Sequence, residues 1–236
     1  MSYLQHNENF LGTGDVNEKG ETLEVFLEAY DPKKYDCPCN TVDITVFKAG
    51  KDGLKLLMIR RKNHPNIGFW ALPGGFVDLR ENLEDAAKRE LEEETGVTGI
   101  SPVQVRTWGD FDRDPRWRVI TTLYCTVIEE QLRVKGGDDA ADARWFDIKL
   151  EEAVSREGTD LVTLTLTDPE SDLTLRSQAE RETAGDRFLS EDVYRQLSTD
   201  NIAGDHGLLI MDALRFVESR RTGNSASGSA FSVCST

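Results

Sequence analysis

Between Gly75 and Val97 the chain reads GFVDLRENLEDAAKRELEEETGV. Glu81 follows Gly75 after five residues, Arg89 follows Glu81 after seven, and Glu90, Leu91, Glu93, Glu94, Gly96 and Val97 close the run. Leu83, Ala86, Ala87, Leu91 and Glu94 recur at the spacing of one helical face, and Gly96 stands where helices commonly end, so a helix is predicted over about 83–95. On that helix Glu90 lies one turn from both Glu93 and Glu94, which gathers three carboxylates on one side. Such crowding is unfavourable unless a cation screens it. Hard oxygen donors suit Mg2+ or Mn2+, and magnesium is commonly shared between one or two carboxylates, waters and substrate phosphate oxygens. Arg89, four residues before Glu93, can brace that carboxylate through a charge-assisted fork. An ordinary solvated acidic face is the bland alternative, and the complete spacing argues against it.

Upstream, Phe69-Trp70-Ala71-Leu72-Pro73-Gly74-Gly75 supplies a loop whose glycines let the backbone turn sharply and approach a ligand. The run and its spacing resemble the Nudix box. That resemblance implies that the Gly74 carbonyl joins Glu90, Glu93 and Glu94 around metal, with Glu81 in support from further out. It extends from about Thr41 to Ile148 and comes nearest to the ADP-ribose pyrophosphatase-like branch, through Leu57–Arg61, Gly109–Arg116 and Asp138–Phe146. It implies an α/β (α+β) fold, a Nudix-type α/β/α sandwich with a mixed sheet. The implied reaction is metal-dependent hydrolysis of a nucleoside diphosphate linked to another moiety, ADP-ribose giving AMP and ribose 5-phosphate. Two alternatives accompany it: a Nudix hydrolase of a nucleoside triphosphate, dinucleoside polyphosphate or nucleotide sugar, and a Nudix-related transcriptional regulator that senses ADP-ribose.

Arg60, Arg61, Arg113 and Arg116, with Arg118 beside them, are candidates for substrate contact, because guanidinium groups match phosphate oxygens two at a time. Phe69, Trp108, Phe111 and Trp117 are candidates for stacking a base, while Trp145 and Phe146 read as core. The general base stays open among Glu93, Glu94, Glu129, Asp138 and Asp139, since reach to the water comes before pKa. The three histidines, His64 and His206 among them, are read as non-catalytic.

Several elements must hold these residues in place. Thr41–Phe47 and Leu54–Arg60 read as strands about a turn at Lys51-Asp52-Gly53, and further strands are expected at Val103–Trp108, Arg118–Ile128 and Ala143–Asp147. Leu150–Ser155 reads as a short helix. Beyond it, Val162–Thr167 and Leu173–Arg176 form an added hairpin, followed by helices from Ser190 to about Leu197 and from Asp205 through Arg221. Leu23, Phe26, Leu27 and Tyr30 mark a short amphipathic helix ahead of the core. The expected organisation is a mobile arm at 1–20, the catalytic domain at 21–155, an extension at 156–221 packed on the core or on a second subunit, and a disordered Ser/Gly-rich tail from 222 to 236.

The 236 residues suit one domain with appendages, and a net charge of −15 disfavours nucleic acid or an anionic membrane as partner. Residues 176–221 carry seven Lys and Arg against nine Asp and Glu, a poor footprint for gripping DNA. Cys37, Cys39, Cys125 and Cys234 lack zinc-site spacing and read as free thiols. With no signal or membrane-spanning run, cytoplasm is the expected compartment. The partners expected are a small nucleotide and a second copy of the chain.

Overall fold

The computed structural model describes residues 10, 12–13, 15–51, 53–129, 140–154, 159–186 and 189–224. Asp138, Asp139, Cys234 and most of the expected tail lie outside them. Met1–Cys37 and Pro38–Thr236 form two units. In the first, Leu23–Ala29 is a helix, α1, started by Thr22, whose hydroxyl accepts from the Val25 amide. No α1 side chain is buried.

The second unit is built on one sheet. Its strands are β1 (Cys39–Gly50), β2 (Gly53–Arg61), β3 (Trp70–Ala71), β4 (Gly74–Phe76), β5 (Val103–Trp108), β6 (Val119–Ile128), β7 (Ala140–Val154), β8 (Asp160–Thr167), β9 (Thr174–Gly185) and β10 (Ser190–Asp200). Two helices complete it, α2 (Leu83–Thr95) and α3 (His206–Asn224). The order across the sheet is β10-β9-β8-β7-β2-β1-β6-β5, with β3 on β2 and β4 on β1. β1 runs parallel to β6 and antiparallel to β2 and β4, so the sheet is mixed.

Alternation along the strands sorts side chains between two cores. Leu57 and Ile59 join Val42, Ile44, Val46 and Tyr124 under Ala86, Ala87 and Leu91 of α2. Leu56 and Met58 point the other way and join Phe47, Leu123, Leu164 and Leu175 under Leu209, Met211, Ala213 and Val217 of α3. Each face of the sheet therefore carries a helix, which is the sandwich the sequence led us to expect. Because β1 is covered on both faces, Thr41, Asp43 and Thr45 are buried along with its apolar residues.

Two expected helices are strands. The segment from Leu150 continues β7 through Val154, paired residue for residue with β8 from Leu150↔Leu164 to Val154↔Asp160. The segment from Ser190 is β10, paired along its length with β9. Glu151-Glu152-Ala153 and Ser190-Glu191-Asp192 suit helix starts and exposed helix faces, but propensity is a weak prior beside a complete ladder of backbone hydrogen bonds. β9 likewise runs on to Gly185, well beyond the expected Arg176. α3 begins at His206, close to the expected position, and its backbone is helical through Asn224. Gly207 permits its close approach to β9, for a Cβ there would fall 2.3 Å from Ser177 Oγ.

Candidate active site

α2 is amphipathic in an unusual way, since Glu94 is buried on the same face as Ala86, Ala87 and Leu91. Gly96 ends the helix in the left-handed conformation at φ 72°, its amide bonded to the Glu92 carbonyl. β4 lies against β1 with Gly74 opposite Asp43 and Gly75 opposite Val42. A Cβ at Gly74 would fall 2.2 Å from the Val42 carbonyl oxygen, and one at Gly75 only 2.5 Å from the Glu90 carboxyl. Close approach to a strand therefore requires glycine at position 74, while at position 75 a side chain would displace the carboxylate of a candidate ligand.

Arg89 organises the carboxylates. It grips Glu81 with a two-pronged fork at 2.8 Å on each prong, and its Nη1 reaches Glu90 at 2.7 Å and Glu93 at 3.0 Å. Its remaining prong donates to the Phe76 carbonyl at 3.0 Å, tying the helix to the end of β4. The expected brace on Glu93 is present, as one arm of a larger hub. Hydrogen bonding to Arg89 holds the Glu81 carboxyl below its ordinary range. Burial raises Glu90 despite Arg89. Burial also pushes Glu94 up to about 8, opposed by the Gly74 amide that donates to it at 2.8 Å and reinforced by the charges of Glu90 and Asp43.

Among the described residues no three acidic groups already stand as a finished metal cage. What they present is a set of separate donors: Glu94 buried against the Gly74 amide, Glu90 partly buried, and Glu93 exposed on the same guanidinium as Glu90. Carboxylate oxygens that are costly to ionise where they stand suit a hard divalent cation, which lowers that cost and takes its other ligands from water or phosphate.

A cleft of about 320 Å3 opens beside this cluster, with Gly74, Gly75 and Glu94 on its wall. Three candidate substrate residues, Arg61, Arg113 and Arg116, also line it. Arg60 does not, and donates instead to the Gly68 carbonyl at 3.1 Å. Arg116 is forked to Asp114 and lies over the Phe76 ring, and Arg118 donates to the Gly109 carbonyl. Of the aromatic candidates Trp108 is buried in the core, Phe111 and Trp117 are exposed, and Phe69 borders a second cleft that shares Arg113 and Asp205 with the first. Glu129 is exposed just past the end of β6.

The cleft also holds Asp43 of β1, which the sequence reading passed over, and Asp205 and His206 at the start of α3, which it read only as a helix start and as a non-catalytic histidine. Asp205 takes a fork from Arg113 at 2.9 and 3.0 Å, and its carboxylate is occupied there. Asp43 accepts from the Thr121 hydroxyl at 2.7 Å and stands 3.9 Å from Arg113. The one available signal for Asp43 was a lone charge inside an apolar strand. For His206 there was none beyond its place at a helix start.

Comparison with known proteins agrees with this architecture. The NUDIX domain family matches residues 39–166. The ADP-ribose pyrophosphatase of Methanocaldococcus jannaschii is 41% identical over 126 residues, 52% of this chain and 71% of its own. The ADPR responsive transcriptional repressor NtrR of Acinetobacter baylyi is 36% identical over 133 residues, 56% of this chain and 52% of its own, so the chain spans about half the length of that relative. Among solved structures, a MutT/nudix family protein from Enterococcus faecalis is similar with a TM-score of 0.64 at 31% identity, over 86% of this chain and 71% of that one. The NUDIX domain of Shewanella oneidensis NrtR, solved with ADP ribose, is similar with a TM-score of 0.50 at 34% identity, over 53% of this chain and 82% of that one. With the box on α2, its glycine loop on β4 and more than half of the chain matched, this protein belongs to the NUDIX domain family.

Proposed function

We propose that this protein is a pyrophosphohydrolase that cleaves a nucleoside diphosphate linked to another moiety, with ADP-ribose as substrate and AMP and ribose 5-phosphate as products. The observation that carries the reading is the meeting of Glu94 and the Gly74–Gly75 backbone, with the Glu90 carboxyl packed against Gly75, at a cleft whose other walls present Arg61, Arg113 and Arg116. Glu90, Glu93, Glu94 and the Gly74 carbonyl would hold Mg2+ or Mn2+. When bound, that cation would neutralise phosphate oxygens and lower the pKa of the attacking water. Arg89 keeps Glu81, Glu90 and Glu93 in one arrangement through its five donors. Arg61, Arg113 and Arg116 bring positive charge to the diphosphate, Arg113 and Arg116 through the N–H groups left over from their forks to Asp205 and Asp114. Glu93 and Glu94 are the box carboxylates available to take the water's proton. The choice of ADP-ribose is supported by the likeness to the Methanocaldococcus enzyme and to a domain solved with that compound.

A second reading, regulation of transcription, is favoured by one observation, the 36% identity to a repressor described as ADPR responsive. Against it stand the complete box and the net negative charge of residues 176–221. A homodimer through the outer edge of β10, where Val193 and Leu197 are exposed, is the assembly we favour, and light scattering tests it.

The deciding experiment is a Mg2+-dependent hydrolysis screen over nucleoside diphosphate derivatives and nucleoside triphosphates, with products identified by mass. ADP-ribose is expected to give the highest kcat/KM. Glu93→Gln and Glu94→Gln should each stay folded and lose at least ~100-fold in rate. Near-normal turnover in both would remove the assignment of the reaction to the box carboxylates, no hydrolysis of any compound by wild type would remove the hydrolase reading, and a tenfold preference for ATP or dGTP would move the substrate. Salt-sensitive, sequence-specific binding in a gel shift would favour the regulator.

A further inference from the structure

His206, the first residue of α3, lines the same cleft as Glu94 of the box helix. The chain around it is stapled to the loop that leads into Gly74. The Trp70 amide donates to the Asn201 carbonyl at 2.9 Å, the Ala203 amide to the Trp70 carbonyl at 2.8 Å, and the Leu72 amide to His206 Nδ1 at 3.0 Å. The fork between Arg113 and Asp205 fixes the residue next to it. The ring is thus set by the Leu72 amide and by the backbone bonds and ion pair of the residues just before it, and its side chain is only 14% exposed.

The Leu72 contact also settles the ring's chemistry. A backbone N–H can only donate, so Nδ1 is the acceptor and the neutral imidazole carries its proton on Nε2. Nε2 lies 3.9 Å from Asp43 Oδ1, beyond hydrogen-bond distance. The other oxygen of Asp43 is engaged by Thr121. The Nε2 proton is therefore left for something that enters the cleft.

We propose that His206 is a further substrate-binding residue, donating Nε2–H to a non-bridging oxygen of the substrate diphosphate. The start of α3, outside the span matched by the family, then forms a wall of the active site. The proposal rests on the diphosphate-substrate reading above, but it concerns binding and can be separated from turnover. It gives the C-terminal elements a role in recognition in addition to covering the core. A donor already fixed in orientation needs no reorganisation as charge builds on the phosphate oxygens.

The test compares wild type with His206→Asn and His206→Gln. Asparagine keeps an acceptor for the Leu72 amide but is too short to place a donor at the Nε2 position; glutamine reaches further. At saturating Mg2+, H206N should lose about 10- to 100-fold in kcat/KM for ADP-ribose, the usual range for removing one donor to a charged oxygen. Binding of the non-hydrolysable α,β-methylene analogue should weaken with it, while H206Q recovers part of both. Tm should change little in either variant. H206N within twofold of wild type in kcat/KM and in analogue binding would overturn the proposal. So would a loss in both variants that follows Tm alone with analogue binding unchanged. If wild type binds the analogue without cleaving ADP-ribose and H206N weakens that binding, the hydrolase reading falls and the proposal stands. If wild type neither binds nor cleaves, both fall.

Discussion

Gly75 is the residue where backbone economy and chemistry meet most directly. An added methyl would lie 2.5 Å from the Glu90 carboxyl, the far end of a flexible side chain, so the chain can accommodate it only by moving that carboxylate. Gly75→Ala is therefore expected to fold with a small loss of stability, about 1 kcal/mol or less, yet to lose at least ~10-fold in hydrolysis. Thermal melts and kinetics on the same preparation separate the two effects, and an active G75A would mean that Glu90 works from another position. Arg89 belongs to the same scale. Its contacts to three glutamates and a carbonyl cannot be reproduced by lysine, whose ammonium is a single point of charge.

The turn between β8 and β9 shows how an element outside the box is held. Asp168 is 3% exposed, and its carboxylate accepts from the Glu170 amide at 2.9 Å, the Ser171 hydroxyl at 2.7 Å and Arg144 of β7 at 2.7 Å. Burial raises its pKa, but the Ser171, Glu170 and Arg144 contacts outweigh burial and leave it below the ordinary aspartate value. A carboxyl depressed in the folded state contributes stability above its unfolded pKa and loses that contribution as pH falls through the folded value. Asp168→Asn should thus cost about 1–3 kcal/mol at neutral pH, with the gap from wild type closing below about pH 4. Melting curves across that range check it; a gap that stayed constant would show that shape, and not charge, sets the turn.

At the scale of the whole molecule, the C-terminal elements are part of the core and not an ornament. A chain ended after Leu150 would lose the end of β7 together with β8, β9, β10 and α3, uncovering Phe47, Leu56, Met58 and Leu123. Each buried side chain of this size is worth roughly 1.5–3 kcal/mol, so a handful is comparable to the usual 5–15 kcal/mol of a domain. The truncated protein is expected to lose cooperative unfolding by circular dichroism. A soluble, cooperatively melting fragment would instead mean that residues up to 150 close a core by themselves. Among the described residues no helix is long and apolar enough to cross a membrane.

Much of the candidate site was legible because its residues are local. Glu81, Arg89, Glu90, Glu93 and Glu94 sit on or beside one helix whose period is written in the sequence, and Gly74 and Gly75 immediately precede it, so spacing alone brings them together. The central strands were legible for a similar reason, since alternation of Val42, Ile44 and Val46 marks a buried strand whatever its partners. Local signals misled where partners came from far away. Leu150–Val154 and Ser190–Leu197 carry helix-like sequence, and only the ladders to β8 and β9 make them strands. Which arginines reach the cleft was equally hidden, because Arg60 and Arg61 are neighbours in sequence and alternation sends them to different surroundings. Asp43 lies far along the chain from Asp205 and His206, and they meet because β1 is covered on both faces and α3 returns to the loop before Gly74. Helical spacing acts over a few residues and can be read from sequence; the return of a chain end to a distant strand is decided by packing, and only the folded structure contains it.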